Sequence, residues 1–230
     1  MRLTFALLRL IAAVAVLVAV GVNFGVSLAF WIDARFRDVP TLVINFASYL
    51  TILSILASAV VLVIGAVRLF GRARLDSPGF ALARATTVTA MVIVGTVYNL
   101  LLRETSVSGG GDVPQWTNEV MHVVLPLYLI VDWLAAPGRR RLSWRSVPLQ
   151  LLPPLLWLVY TLIRAPFVYD QFIHVQGWYP YPFLDPDRSS SGYLSVAAYI
   201  VAVTVIFAAV ATVTVTVSRW PHPLSRVGAS

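Results

Sequence analysis

Cysteine is absent from the 230 residues, which excludes disulfide frameworks, thiolate zinc sites, iron–sulfur clusters and any cysteine nucleophile. Lysine is absent as well, so all 17 basic residues are arginine. Charge of either sign is scarce: 12% of residues are charged, against about 25% in an average soluble domain. Polar stretches long enough to form a soluble domain are missing from every loop. HExxH, GxSxG, Walker A and EF-hand patterns do not occur, and the ten carboxylates are too scattered for a metal cage. No metal and no cofactor is implied. Heptads, solenoid repeats and an inverted repeat between the halves are lacking too.

What is present is apolar: 59% of residues by the AVILMFWYC count, with a mean hydropathy of +0.82. A net charge of +7 and a pI near 10.2 would suggest nucleic acid in a soluble protein. Here the arginines punctuate apolar runs and build no continuous patch, so the sequence speaks for a membrane and against nucleic acid. A bilayer core about 30 Å thick needs about 20 apolar helical residues. Six such runs occur, at about Leu7 to Phe30, Thr41 to Phe70, Phe80 to Leu102, Trp116 to Ala136, Val147 to Phe167 and Tyr193 to Val217. The first is too long for a signal peptide and continues to the interfacial aromatic Trp31. The expected fold is one all-α polytopic bundle of six transmembrane helices.

Arginine placement orients that bundle, because cytoplasmic loops hold the excess of basic residues. Twelve arginines fall at the termini (Arg2, Arg9, Arg219, Arg226), in the second loop (Arg68, Arg72, Arg74, Arg84) and in the fourth (Arg139, Arg140, Arg141, Arg145). The odd-numbered loops hold five, Arg35, Arg37, Arg103, Arg164 and Arg188. Carboxylates distribute oppositely, with Asp76 and Asp132 on the first side and eight on the second. Alternation from loop to loop fits six spans of a plasma-membrane protein with both termini cytoplasmic. In the fifth loop, Trp178 to Leu184 alternates aromatics with prolines and suits a stiff segment at headgroup level. Ser106 to Asp112 in the third loop, with three consecutive glycines, reads as a flexible connection.

Polar groups inside spans are costly in hydrocarbon and are therefore the functional candidates. At about 100° per residue, Ser48, Thr51, Ser54 and Ser58 fall within about 120° of one another and form a polar stripe facing the bundle. The competing explanation for each is a bond to its own i−4 carbonyl. His122 is the only histidine in a span; Asn118 lies one turn before it and Pro126 four residues after. Proline has no N–H, so the His122 carbonyl loses its helical partner and the helix can bend there. An imidazole hydrogen-bonded across helices or at the wet interface is the competing explanation. Counted from the span starts, Thr51 lies about 15 Å in and His122 about 9 Å in, so contact is permitted. Tyr98, Asn99, Arg103 and Glu104 cluster at the end of the third span, and Tyr160 with Arg164 at the end of the fifth. They line an entrance or serve as interfacial anchors. Asp132 is expected to pair with Arg139, Arg140 and Arg141, and no buried charge pair is anticipated.

The stretches Tyr49 to Ser54 (YLTILS), Val97 to Arg103 (VYNLLLR), Asn118 to Pro126 (NEVMHVVLP) and Trp178 to Asp185 (WYPYPFLD) resemble the bacterial six-span membrane family called Pr6Pr. That family is similar to the eukaryotic androgen-induced, FAR-17a-like membrane proteins. The resemblance runs from the second span to the sixth. It implies a threonine hydrolase of lipid esters, since the eukaryotic relatives include enzymes that cleave fatty acid esters of hydroxy fatty acids with an intramembrane threonine and a partner histidine. Matched motif by motif, these fall on Thr51 and His122. Ser48, Ser54, Tyr98, Asn99 and Asn118 then become substrate-side candidates. Asn118, Asn99 or backbone N–H groups near Pro126 could bind an oxyanion, and the sequence does not select among them. No carboxylate is placed to orient His122. The expected partners are membrane lipids, including a lipid-ester substrate; oligomeric state is not legible. The alternative is a non-catalytic protein that binds or transports a lipid or small molecule through the polar stripe.

Overall fold

The computed structural model describes residues 1–71, 75–103 and 110–220. Arg72, Arg74, Glu104, most of the Ser106–Asp112 connection and Arg226 lie outside the described residues. The described residues are mostly helical, with almost no sheet. Among them six helices are long and apolar enough to cross a membrane: Arg2–Asp33, Leu50–Phe70, Pro78–Leu102, Gln115–Ala135, Ser146–Phe167 and Tyr193–Ser218. This is the architecture of a multi-pass membrane protein, as the apolar runs require.

We label the helices α1 (Arg2–Asp33), α2 (Val39–Ala47), α3 (Leu50–Phe70), α4 (Pro78–Val97), α5 (Gln115–Glu119), α6 (Leu125–Ala135), α7 (Ser146–Arg164) and α8 (Tyr193–Ser218). A π-helical turn, Tyr98–Leu102, extends α4, and a second, Val120–Val124, joins α5 to α6. The 7–30 run packs as α1 along α3 through small residues, Ala6 and Ala13 against Ala59 and Ala66, all buried. Small side chains let membrane helices approach closely enough for dispersion to hold them. α4 sits centrally and touches α3, α6, α7 and α8. Between α7 and α8 the chain forms a two-stranded antiparallel hairpin, β1 (Tyr169–Asp170) on β2 (Val175–Gln176), with Tyr169 opposite Gln176.

The second run differs from its expected form. It is not one helix from Thr41 to Phe70 but two, interrupted at Ser48 and Tyr49, where Tyr49 is extended (φ −65°, ψ 130°) and caps α3. Neither proline nor glycine sits at the break. Side chains of α7 stabilise it: Trp157 Nε1 donates to the Ser48 carbonyl at 2.8 Å, Tyr160 Oη lies 2.9 Å from Ser48 Oγ, and Arg164 donates to Asn45 Oδ1 at 2.7 Å. Tyr160 and Arg164 are thus partners of a broken helix as well as residues of the membrane boundary.

At the end of the bundle holding the start of α1 and the end of α8, charges are buried. Arg9 donates from Nε and Nη2 to the two oxygens of Asp132 at 2.8 and 3.0 Å, and from Nη1 to the Gly65 carbonyl at 2.9 Å. Arg84 bridges Asp132 at 2.8 Å and Asp76 at 2.6 Å. Asp132 therefore pairs with Arg9 and Arg84, not with Arg139 to Arg141, and buried charge pairs do exist. The reason is direction: Asp132 projects from α6 into the bundle, while Arg139 follows the Pro137–Gly138 turn and donates to the carbonyls of Trp133, Leu134 and Trp220. Gly65 makes room for this network, since a Cβ there would lie 2.7 Å from Arg9 Nη1. Each aspartate here is matched by at least one arginine, with the more exposed Arg68 also 3.8 Å from Asp76, which is what tolerance of buried charge requires. Asp132→Ala would leave two guanidinium groups facing no carboxylate on α6, and unfolding in detergent should show a loss of about 3–5 kcal/mol. Arg35→Ala, at an exposed turn, should cost less than about 1 kcal/mol in the same assay.

Candidate functional site

At the opposite end, α3, α4, α7, α8, the two π-turns and the segment after the β-hairpin line a partly open cavity of about 150 Å³. Its walls are chiefly Leu, Ile, Val, Pro and Phe side chains; Thr51, Tyr98, His122, Tyr181, Tyr199 and Thr204 bring hydroxyl or imidazole groups to it. Thr51 enters because the break at Tyr49 starts α3 there. It occupies the first turn, where backbone N–H groups have no helical acceptor, and its N–H donates to Tyr181 Oη at 3.4 Å. Thr51 Oγ1 and Tyr181 Oη are 3.1 Å apart.

His122 enters from the π-helical turn before α6, and π-turns often aim a side chain at a functional site. Its Nδ1 lies 3.0 Å from the Asn118 carbonyl. A carbonyl can only accept, so Nδ1 carries the proton and Nε2 is left with the lone pair. Tyr98, from the facing π-turn, stacks on the imidazole at 3.9 Å between centroids and 18° between planes. The His122 carbonyl, which Pro126 cannot serve, accepts from Asn99 Nδ2 at 3.2 Å. Asn99 Nδ2 also donates to the Gly95 carbonyl at 2.8 Å, and its Oδ1 accepts from Arg103, which pairs with Glu119.

Thr51, Tyr98 and His122 thus share one cavity, while the other sequence candidates stand behind its wall. Ser48 Oγ is bonded to the Ile44 carbonyl at 2.7 Å as well as to Tyr160. Ser54 is buried and gives its carbonyl to Ser58 Oγ at 2.7 Å, the i−4 bond that competes with a functional role. Asn118 supplies its backbone carbonyl to the imidazole and both polar ends of Asn99 are engaged; neither residue lines the cavity. Among the described residues no hydrogen bond joins Thr51 directly to His122.

Two contributors escaped the sequence reading. Tyr181 belongs to the aromatic–proline segment expected at headgroup level; instead Trp178, Tyr181 and Leu184 are buried and the segment closes one wall of the cavity. Gly95 lets α4 approach the fourth span: a Cβ there would lie 2.9 Å from the His122 carbonyl oxygen and 3.1 Å from Pro126. The only sequence signals were the unusual WYPYPFLD run and a glycine one turn before Asn99. Among the described residues no group of three His, Asp or Glu side chains forms a metal site.

The chain matches no protein-family model, no curated protein and no solved structure.

Because backbone cannot yield as a side-chain tip does, Gly95→Ala should destabilise the fold by about 1–3 kcal/mol. It should also loosen the Tyr98–His122 stack, measured as a lower thermal midpoint together with a shifted imidazole resonance.

Proposed function

We propose that this chain is a membrane-embedded hydrolase of lipid esters, with Thr51 as nucleophile and His122 as its base. The observation that carries this reading is the convergence of the two residues on one apolar cavity, with His122 Nδ1 tied to a carbonyl so that Nε2 is the basic nitrogen. A threonine hydroxyl is a weak nucleophile until a base accepts its proton. In the proposed reaction Oγ1 attacks the ester carbonyl as Nε2 takes the hydroxyl proton. The C–O bond to the alcohol then breaks and Nε2–H protonates the leaving oxygen. Water repeats the sequence on the acyl-threonine, returning Thr51 and releasing the acid.

The cavity suits the acyl side of such a substrate. An apolar cavity of this size accommodates about one benzene ring, hence the carbonyl and the first few methylenes of a chain whose remainder lies along the bundle. The arginine asymmetry supports both termini on the cytoplasmic side, which would put the cavity in the outer half of the bilayer, where lipid esters enter laterally.

A fluorophosphonate probe applied to the detergent-purified protein should form an adduct on Thr51. Thr51→Ala should abolish labelling, and His122→Gln should slow ester turnover by about 10²–10⁴-fold. An unlabelled but folded wild-type protein would instead make the cavity the binding or transport site of an apolar ligand. For orientation, the cysteine-free chain gives a clean assay: Ser190→Cys should react with an impermeant maleimide in intact cells, and Ser143→Cys only after permeabilisation.

A further inference from the structure

The ester reaction needs a donor for the carbonyl oxygen as it becomes an oxyanion, and removal of such a donor has large kinetic consequences. Neither asparagine that the sequence offered lines the cavity, and the Asn99 side-chain amide is already saturated. One other side-chain hydroxyl lies against the nucleophile. We infer that Tyr181, from the extramembrane segment after the β-hairpin, is a catalytic residue whose phenol O–H stabilises the oxyanion formed when Thr51 attacks an ester. The inference rests on the reading of Thr51 as nucleophile.

The geometry supports it in three ways. Tyr181 Oη is 3.1 Å from Thr51 Oγ1, and the oxygen of a tetrahedral intermediate is only two bonds from Oγ1, so one donor reaches both with a small swing. The phenol oxygen accepts from the Thr51 N–H at 3.4 Å, which directs its single proton elsewhere, and accepting one bond strengthens the donation of the next. The ring is held by aromatic contacts on several sides: edge-on to Tyr49 at 5.9 Å and to Trp157 at 5.8 Å, and stacked on Phe183 at 5.4 Å. Burial also pushes the Tyr181 phenol above its ordinary range, so it stays protonated and able to donate at neutral pH.

Differential stabilisation follows from the chemistry. Before attack, Thr51 Oγ1 is the partner of the phenol. As the Oγ1–C bond forms, Oγ1 becomes an ester-like oxygen and a poorer acceptor, while the carbonyl electron pair moves onto oxygen. The phenol then exchanges a weak acceptor for a strong one, so its bond is stronger in the transition state than in the ground state. The proton of Oγ1 travels to His122 Nε2 and onward to the alcohol, and Tyr181 keeps its own.

The test uses the full chain in detergent with p-nitrophenyl butyrate as substrate and fluorophosphonate as titrant of reactive Thr51. Tyr181→Phe keeps the ring and its aromatic contacts. It should lower kcat per titrated site by about 10²–10³-fold, with KM changed only a few-fold and the end-point of labelling preserved. A kcat within about threefold of wild type, with turnover still dependent on Thr51, overturns the role of Tyr181 alone. Equal rates for wild type and Thr51→Ala overturn the nucleophile and Tyr181 together. If Tyr181→Phe does not fold, site-specific fluorotyrosine at position 181 decides: kcat must change with phenol acidity, and invariance overturns the proposal.

Discussion

A helix interrupted where protein rather than water surrounds it must find protein partners for the backbone groups it frees. That constraint organises the end of this bundle where the cavity lies. The interruption at Ser48 and Tyr49 brings Thr51 into the first turn of α3, and it persists because Trp157 serves the Ser48 carbonyl and Tyr181 serves the Thr51 N–H. The two π-turns obey the same rule. Pro126 deprives the His122 carbonyl of its helical donor, and the Asn99 amide replaces it from the neighbouring span. The residues that satisfy broken backbone are thus the ones that fix Thr51, Tyr98 and His122 around one cavity.

The other end of the bundle supplies the complementary rigidity. Arg9, Arg84, Asp76 and Asp132 tie α1, α4, α6 and the segment just before α4 into one ion-pair network, and Arg139 gathers the ends of α6 and α8. Removing Asp132 strands Arg9, which has no other carboxylate partner among the described residues, so the network is held most tightly through α6. With the helices held there, distortions at the cavity end can be local. A break and two π-turns, each less favourable than continuous α-helix, are accommodated without separating the spans.

The sequence carried the fold more fully than the site. Six apolar runs are enough to read six helices, because length and hydropathy are properties of a segment alone. Pairing is not. Asp132 lies close in sequence to Arg139, yet its partners come from α1 and α4, which only the packed bundle brings together. The break before Thr51 is invisible for the same reason: no proline or glycine marks it, and the side chains that stabilise it are more than a hundred residues away. Thr51 and His122 were legible as rare polar groups in spans, and the proline after His122 correctly located an unserved carbonyl. Tyr181 was not, because an aromatic in an extramembrane loop has the same signature whether it lies in headgroups or folds back into the bundle.

In the proposed reaction, His122 is oriented by a carbonyl rather than by a carboxylate, and the apolar cavity gives that difference a physical sense. A carboxylate beside the imidazole would itself need a counter-charge in hydrocarbon, as Asp132 and Asp76 do at the far end. The Asn118 carbonyl fixes the same tautomer without adding a charge. Its weaker support for an imidazolium makes the protonated state short-lived, so the proton taken from Thr51 is returned to the departing alcohol readily. Charge then appears chiefly on the carbonyl oxygen, and the neutral phenol of Tyr181 is suited to receive it, since it donates without bringing an ion into the membrane.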